Sequence, residues 1–251
     1  MTELTGKTAL VVGASKGLGR GIALAFDKAG APVIAVARDA SALAEVSAAG
    51  TGIRVEVADA ADEKTADELI GRYDPDILVL VAGAVPLGLP LQEHTWETFS
   101  MHWDADVKIA FSWLKAALLA PLRPGSRVVV VSSGAGLFGS PASGGYAGAK
   151  ATQRFIAGYA AEESQRAGLG ITVTAVLPSM TPFGAVGRSG IQAYSARSGK
   201  TEEEFRQGMG EVLTPEVAGS AVLDLVLRDS GSLAPSYLLN AGGLRDLPKP
   251  A

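Results

Sequence analysis

Three polar side chains, Ser133, Tyr146 and Lys150, are spaced so that they could perform acid–base chemistry on an oxygen atom. Tyr146 and Lys150 are four residues apart in an Ala-rich segment with helical spacing, which would put both on one helix face. A phenol has a pKa of about 10, and a nearby ammonium group favours the phenolate. Ser133 could then hold a substrate oxygen while Tyr146 supplies or removes its proton. A Tyr–Lys pair at this spacing is also common on solvated helix surfaces, so the interpretation depends on the surrounding elements.

A glycine-rich turn near the start of the chain is the second candidate site. It reads Gly13-Ala14-Ser15-Lys16-Gly17-Leu18-Gly19 and joins an apolar run to a helical segment. Backbone N–H groups in such a turn can approach a pyrophosphate at the start of a helix, whereas a Cβ would hold the phosphate away. The spacing is not that of the common dinucleotide fingerprint. We expect a dinucleotide to contact Gly13, Ser15, Lys16, Gly17, Leu18 and Gly19.

The residues after the second apolar run bear on the choice between NAD and NADP. Ala37 ends that run and Arg38 follows, so an arginine stands where an NAD site needs a carboxylate for the ribose hydroxyls. An arginine there could hold the 2′-phosphate of NADP(H), and Lys16 could add a second cation. Asp39 is the counter-evidence, because it could serve as the ribose carboxylate if the strand were longer. The sequence favours NADP(H).

Asp59 and Ala60 follow the third apolar run, where the adenine ring would lie in a dinucleotide-binding fold. The alternative for Asp59 is an N-cap of the helical segment that begins near Ala61.

Short apolar runs alternate with longer helical segments along the chain. The runs are rich in Val and Ile without polar alternation, which is typical of strands buried on both faces of a parallel sheet. The expected strands are Ala9–Val12, Val33–Val36, Ile53–Val57, Ile77–Ala82, Val128–Val131 and Ile171–Leu177, and the expected helices include Leu18–Lys28, Ala61–Arg72 and Tyr146–Ala167. We expect an α/β, doubly wound Rossmann-type fold with helices on both faces, forming a single dinucleotide-binding and catalytic domain over residues 1–251.

One stretch, from Pro178 to Leu213, is rich in Gly, Ser and Thr and has few apolar periods. A long irregular insert in a compact domain is usually a binding loop or lid. We expect a substrate loop over about residues 179–212, with a surface loop without that role as the alternative.

Composition narrows the class of function. The net charge is -4 without a basic cluster, which argues against nucleic-acid binding. The chain has no cysteine, and its two histidines, His94 and His102, have no spacing partner for zinc, so we expect no metal site and interpret both as helix or surface residues. We found no signal-like segment and no run long enough to span a bilayer, and we expect a soluble cytoplasmic protein.

The combined motifs resemble the short-chain dehydrogenase/reductase family. They are the glycine turn, Arg38, Val128-Val129-Val130-Val131-Ser132-Ser133 and Tyr146-Ala147-Gly148-Ala149-Lys150, and the resemblance extends from Lys7 to about Gly243. It implies a seven-stranded parallel sheet and a hydride passed between nicotinamide and a carbonyl carbon. It further implies that Ser133 orients a small-molecule carbonyl or alcohol, Tyr146 is the general acid/base, and Lys150 binds the nicotinamide ribose while tuning Tyr146. A homodimer or homotetramer built on the helices around Ala110–Leu119 and Tyr146–Ala161 is also implied.

Several positions depart from the family pattern. Val12 stands where family members often have Thr, and Leu80-Val81-Ala82-Gly83 stands where they have Asn-Asn-Ala-Gly. Apolar contacts between strands one and four could therefore replace a polar network. Ala82 and Gly83 still allow the backbone to approach the cofactor closely. The family's helix Asn aligns with Asp106, with Asp104 as the competitor. Pro178 and Ser179 stand for the usual Pro-Gly, and Thr181 would contact the nicotinamide amide.

Three functions remain open at this point. The first is an NADPH-dependent oxidoreductase that reduces a carbonyl or performs the reverse reaction. The second is a non-catalytic NADPH-binding sensor or assembly subunit, to which the departures at Val12, Leu80, Val81 and Asp106 lend weight. The third is an enzyme of the same fold acting on an imine or an enoyl double bond. The sequence does not name a substrate, although Leu137, Phe138, Phe183 and Tyr194 suggest a partly apolar ketone, for example a cyclic or aryl ketone.

Overall fold

The computed structural model describes residues 3–248, which form one eight-stranded sheet in the order β3-β2-β1-β4-β5-β6-β7-β8. Strands β1 to β7 are parallel, and β8 pairs with β7 in the antiparallel direction. The strands are β1 (Ala9–Val12), β2 (Val33–Ala37), β3 (Ile53–Val57), β4 (Ile77–Leu80), β5 (Arg127–Val131), β6 (Thr172–Pro178), β7 (Ser236–Asn240) and β8 (Gly243–Leu247). The predicted doubly wound α/β fold is confirmed.

Helices cover both faces of this sheet. They are α1 (Gly17–Lys28), α2 (Ala40–Ala49), α3 (Glu63–Tyr73), α4 (Trp96–His102), α5 (Lys108–Leu119), α6 (Ala135–Phe138), α7 (Tyr146–Arg166), α8 (Gly184–Arg197), α9 (Glu202–Gln207) and α10 (Pro215–Leu227). A π-helical turn, Trp103–Val107, joins α4 to α5, and Leu91–Glu93 and Ser230–Ser232 are 3₁₀ turns. Within the described part of the chain, no helix combines the length and apolar character needed to cross a bilayer.

Two apolar cores, one on each sheet face, result from the non-alternating strands. On one face, Ile22 and Phe26 of α1 pack with Val222 of α10 against the sheet. On the other, Trp113 of α5 and Ala157 of α7 lie in the core. Burial on both faces explains why the central strands carry Val, Ile, Leu and Ala at successive positions.

The sheet differs from the expectation of seven parallel strands by one added strand. β8 follows β7 after a two-residue turn and pairs Asn240 with Gly243. Its sequence, Gly-Leu-Arg-Asp-Leu, lacks a buried apolar run because it lies at the sheet edge and is half exposed. The strand β3 also departs from two-sided burial, because it forms the opposite edge and exposes Val55 and Val57.

The segment after Pro178 is mostly helical, so the expectation of a long irregular stretch was wrong. It contains α8 and α9. The helix α9 begins with a capping box in which the Thr201 side chain accepts from the Glu204 backbone N–H and the Glu204 carboxylate accepts from the Thr201 N–H. This local pairing stabilises a short helix that apolar periodicity does not reveal.

Candidate active site

A cleft of about 1100 Å³ opens at the carboxyl ends of the parallel strands. It includes the place where β1 and β4 lie side by side, which is the point where the strand order reverses and where α/β sheets bind ligands. Of the predicted site residues, the cleft lining includes Gly13, Ser15, Lys16, Gly17, Leu18, Gly19, Arg38, Ala82, Gly83, Asp106, Ser133, Tyr146, Lys150, Pro178, Ser179 and Thr181.

Asp59 and Ala60 are the two predicted cofactor contacts that the structure does not bring to the cleft lining. β3 ends at Val57, and Ala58 is the residue that lines the cleft. The Asp59 carboxylate accepts from the N–H of Ala61 at 3.0 Å, while the Ala60 carbonyl accepts from the indole N–H of Trp113 at 3.0 Å. The N-cap of α3 is Asp62, so the alternative role given to Asp59, as the N-cap of that helix, was wrong.

The glycine turn has the geometry that an anion-binding loop requires. Gly13 has a φ of +94°, and a Cβ there would lie 2.5 Å from the Ala82 backbone nitrogen. A Cβ on Gly19 would lie 2.1 Å from the Gly13 carbonyl oxygen. The N-cap residue Lys16 makes no side-chain cap for α1, so the first N–H groups of that helix stay available to a ligand in the cleft. These features fit a dinucleotide pyrophosphate.

The Arg38 guanidinium has no hydrogen bond or ion pair to any residue between 3 and 248 and lies exposed at the end of β2. Its neighbour Asp39 is already engaged, because its carboxylate accepts from the Lys16 ammonium at 2.7 Å and from the Ala42 N–H at 3.0 Å. The Lys16 ammonium and these hydrogen bonds lower the pKa of Asp39. Of the two residues, Arg38 is therefore the freer to bind a ligand.

Tyr146 and Lys150 lie together on α7, at the inner wall of the cleft. Tyr146 is the first residue of the helix, and the Lys150 ammonium nitrogen lies 5.5 Å from the centre of its ring. Ser133 follows β5, and its hydroxyl oxygen accepts from the Ala135 N–H at 3.2 Å. The preceding Ser132 is buried and donates to the Lys150 carbonyl at 2.6 Å, which ties the end of β5 to α7.

A closed polar triangle holds the Lys150 ammonium behind Tyr146. The ammonium nitrogen forms an ion pair with Asp106 Oδ1 at 2.9 Å and donates to Gln153 Oε1 at 2.9 Å. The Gln153 amide then donates to the Asp106 backbone carbonyl at 2.7 Å. Asp106 is fully buried in the π-helical turn, whereas its competitor Asp104 is exposed. The structure therefore brings Asp106 to the site.

The charges of this triangle stabilise each other. Burial alone would raise the pKa of Asp106, but the Lys150 ammonium and the hydrogen bond from His102 lower it to about 2. Burial would likewise lower the pKa of Lys150, but the Asp106 carboxylate raises it above its usual value. Both groups therefore stay ionised at neutral pH.

Comparison with known proteins identifies the family. The sequence model of the family described as short chain dehydrogenase matches residues 7–190. This chain belongs to the short-chain dehydrogenase family. Members are oxidoreductases that use a nicotinamide cofactor, NAD or NADP.

Comparison with individual proteins supports the same family assignment. The hydroxynaphthalene reductase-like protein Arp2 of Metarhizium robertsii is 30% identical over 96% of both chains. L-xylulose reductase of Mesocricetus auratus is 35% identical over 52% of this chain and 54% of its own length, so that match spans about half of the relative. A crystal structure of a short chain dehydrogenase from Mycobacterium avium has the same fold, with a TM-score of 0.76 and 24% identity over 99% of this chain and 86% of that one.

Apolar packing replaces polar residues between β1 and β4 in this short-chain dehydrogenase. Val12 and Leu80 are register partners on these two neighbouring strands, and both are buried in the same core. The sequence departures at these positions are therefore matched to each other, as the hypothesis of compensating apolar contacts requires.

Two residues of this short-chain dehydrogenase's site were missed from sequence. His102 was interpreted as a helix or surface residue. It is the last residue of α4, but it is 1% exposed and donates to Asp106 Oδ2 at 2.8 Å. Gln153 was not singled out. The available signals were helical spacings, because His102 lies four residues before Asp106 and Gln153 three after Lys150.

The other end of the cleft is lined by residues of α6 and α8 and of the loops after β4 and β6. Val85, Phe138, Met180 and Tyr194 line it, and the Tyr194 hydroxyl lies 2.7 Å from the Ser140 hydroxyl. Phe183 lines the cleft as expected, but Leu137 packs against the core instead. The hydroxyl of Thr181 donates to the Leu213 carbonyl at 2.6 Å, so it anchors the segment that carries α8.

Proposed function

We propose that this short-chain dehydrogenase is an NADPH-dependent oxidoreductase that interconverts a carbonyl and an alcohol, with Tyr146 as general acid/base. The observation that carries the proposal is Tyr146 in the cleft wall with the ionised Lys150 ammonium 5.5 Å from its ring centre. Nicotinamide bound in the cleft would supply the hydride in reduction and accept it in oxidation. A sensor would need the nucleotide site but not this arrangement of Tyr146 and Lys150.

Each of the three side chains then has a distinct task. In reduction, the Ser133 hydroxyl donates a hydrogen bond to the substrate carbonyl oxygen and holds the carbonyl carbon in position. Tyr146 transfers its phenolic proton to that oxygen as negative charge develops on it. Lys150, held as an ammonium by Asp106, stabilises the phenolate that remains. In oxidation, the phenolate removes the alcohol proton.

The first test is NADPH oxidation, followed at 340 nm against ketones, aldehydes, diketones, imines and enoyl compounds. Turnover of carbonyl compounds supports the proposal. Tight NADPH binding without turnover on any of them favours a sensor, and turnover confined to imines or enoyl compounds favours the third function.

Selectivity for NADPH rests on Arg38. Because its guanidinium is exposed and unpaired within the described structure, it can hold a 2′-phosphate through charge-assisted hydrogen bonds. Asp39 caps α2 and binds Lys16, so it is less free to accept from ribose hydroxyls.

Replacing Arg38 with Asp should move the preference from NADPH toward NADH. A hydrogen bond to a charged group contributes about 1.5–3 kcal/mol, so the ratio of kcat/KM for NADPH over NADH should fall by about tenfold to a hundredfold. Arg20→Asp, at a half-buried position of α1 outside the cleft lining, is the control. A ratio that does not change in Arg38→Asp would overturn the assignment.

The lining predicts an uncharged substrate. The charged residues that line the cleft are Lys16, Arg38 and Asp39 at the nucleotide end, and Asp106 and Lys150, which are paired with each other. The substrate end offers apolar side chains and the Ser140–Tyr194 hydroxyl pair instead. We propose a neutral, largely apolar carbonyl compound or alcohol, with the segment over about residues 179–212 as part of its binding wall.

The preference for an uncharged substrate can be tested with an ester and the corresponding free acid. The esters of aryl α-keto acids should be reduced with a kcat/KM about tenfold or more above that of the free acids, because an unpaired carboxylate loses its hydration on entering the cleft. Ethyl benzoylformate and benzoylformate are a suitable pair. Equal or faster reduction of the free acid would rule out the uncharged substrate class.

We propose that the chain forms oligomers through the outer faces of two helices, α5 and α7. The outer faces of α5 and α7 expose Phe111, Phe155 and Tyr159, and a Cβ on Gly148 or Gly158 would meet open space. These faces could pair in a homodimer or homotetramer, whereas Ala157 has a core role. We also propose a cytoplasmic location, on the absence of cysteine.

A further inference from the structure

A buried histidine, His102, contacts the proposed proton donor Tyr146 but has no part in the proposed proton transfer. His102 ends α4, and its ring packs edge-on against the Tyr146 ring, with 5.1 Å between ring centres. Its Nδ1 lies 2.8 Å from Asp106 Oδ2. Because Asp106 is ionised and can only accept, Nδ1 carries a proton and donates it.

Asp106 is held at both oxygens. Oδ2 accepts from His102 and from the Ala84 N–H at 3.1 Å, while Oδ1 faces the Lys150 ammonium. A Cβ on Gly83 would lie 2.2 Å from Oδ1, so that glycine leaves room for the carboxylate. The carboxylate is therefore fixed between His102 on one side and Lys150 on the other.

The π-helical turn brings these groups together. Trp103–Val107 forms one widened turn between His102 and α5, so the Asp106 side chain points at α7 while its backbone carbonyl is available to Gln153. The ionisable groups that surround His102 are Asp106 on this turn and Tyr146 and Lys150 on α7; Asp104 of the same turn is exposed.

We propose that His102 is a positioning residue that limits how strongly the Asp106 carboxylate opposes the effect of Lys150 on Tyr146. Negative charge on Asp106 disfavours the Tyr146 phenolate, and the ammonium favours it. A hydrogen bond from His102 withdraws part of the carboxylate charge and fixes its direction. This role rests on the proposed function of Tyr146, but the effect of His102 on the ionisation of Tyr146 can be measured without turnover.

The experiment follows Tyr146 ionisation by ultraviolet difference absorbance, subtracting for each protein a partner that also carries Tyr146→Phe. His102→Phe should move the midpoint upward by about half to one pH unit, because Asp106 loses a donor and opposes the phenolate more strongly. His102→Asn, whose amide can donate to Asp106, should stay closer to the wild-type midpoint.

An upward shift in His102→Phe, with recovery in His102→Asn, supports the positioning role. An unchanged or lower midpoint in His102→Phe, or a midpoint in His102→Asn that matches His102→Phe, overturns it. NADPH affinity monitors the integrity of the cleft in the two His102 variants, since His102 is not part of its lining. Failure of the proposed function would appear separately, as a wild-type protein that turns over no carbonyl compound.

Discussion

Tyr146→Phe should reduce carbonyl turnover by about a hundredfold to ten-thousandfold, because the variant keeps the ring but has no proton to donate. NADPH affinity should change little, since the hydroxyl is a small part of a cleft of about 1100 Å³. The measurement is kcat at saturating NADPH, with the dissociation constant of NADPH determined by fluorescence.

Tyr159→Phe is the matched control on the same helix. Tyr159 is 60% exposed and is absent from the cleft lining, so the same loss of a hydroxyl should leave turnover near the wild-type value. Turnover that survives in Tyr146→Phe would remove Tyr146 as the proton donor and direct attention to another hydroxyl at the cleft.

Lys150→Met should destabilise the fold as well as impair turnover. The change leaves the fully buried Asp106 without its counter-charge, and breaking a buried ion pair from one side costs about 3–5 kcal/mol. At about 2–4 °C per kcal/mol for a protein of this size, the melting temperature should fall by about 6–20 °C. Thermal unfolding followed by circular dichroism measures the fall.

The double variant Lys150→Met/Asp106→Leu separates charge burial from catalysis. Removing both charges should restore much of the lost stability, because an apolar pair of similar volume can replace a buried ion pair, while turnover stays low. A double variant that is no more stable than Lys150→Met would show that the ion pair is not the source of the loss.

Acid should act on the same pair in the wild-type protein. The pKa of Asp106 is about 2 in the folded chain, below the value of about 3.9 expected in an unfolded one. The unfolded state therefore binds the proton first, so the stabilisation from this carboxylate is complete above about pH 4 and is lost as the pH falls toward 2. In the double variant this contribution to acid sensitivity should be missing.

Strand positions were predictable from sequence because burial on both faces leaves a continuous apolar run, as in Ala9–Val12 and Val128–Val131. The strand at the sheet edge and the helices after β6 were harder to predict. The half-exposed β8 has no such run. The helix α9 begins with a capping box, and the Ser189 hydroxyl of α8 donates to the Pro86 carbonyl; periodicity encodes neither contact.

For the site, motif spacing was sufficient to bring Ser133, Tyr146 and Lys150 to one cleft, because their positions are set by the end of β5 and the first turns of α7. The partners of Asp106 could not be inferred in the same way. A regular helix would give His102 and Asp106 a common face, but the direction of that face depends on the π-helical turn, which no sequence pattern signalled. Asp59 lies outside the cleft lining, and its carboxylate accepts from the Ala61 N–H in the turn after β3.

The antiparallel strand β8 has a consequence for solubility. Without it, β7 would be the last strand of the sheet, and four of its five residues are buried. An uncovered apolar strand with free backbone N–H and C=O groups is a template for pairing with a second chain and hence for aggregation. β8 occupies that edge and presents the charged, exposed side chains of Arg245 and Asp246 instead. Although β8 takes no part in the chemistry, it covers the apolar strand β7 and so disfavours aggregation through this edge of the sheet.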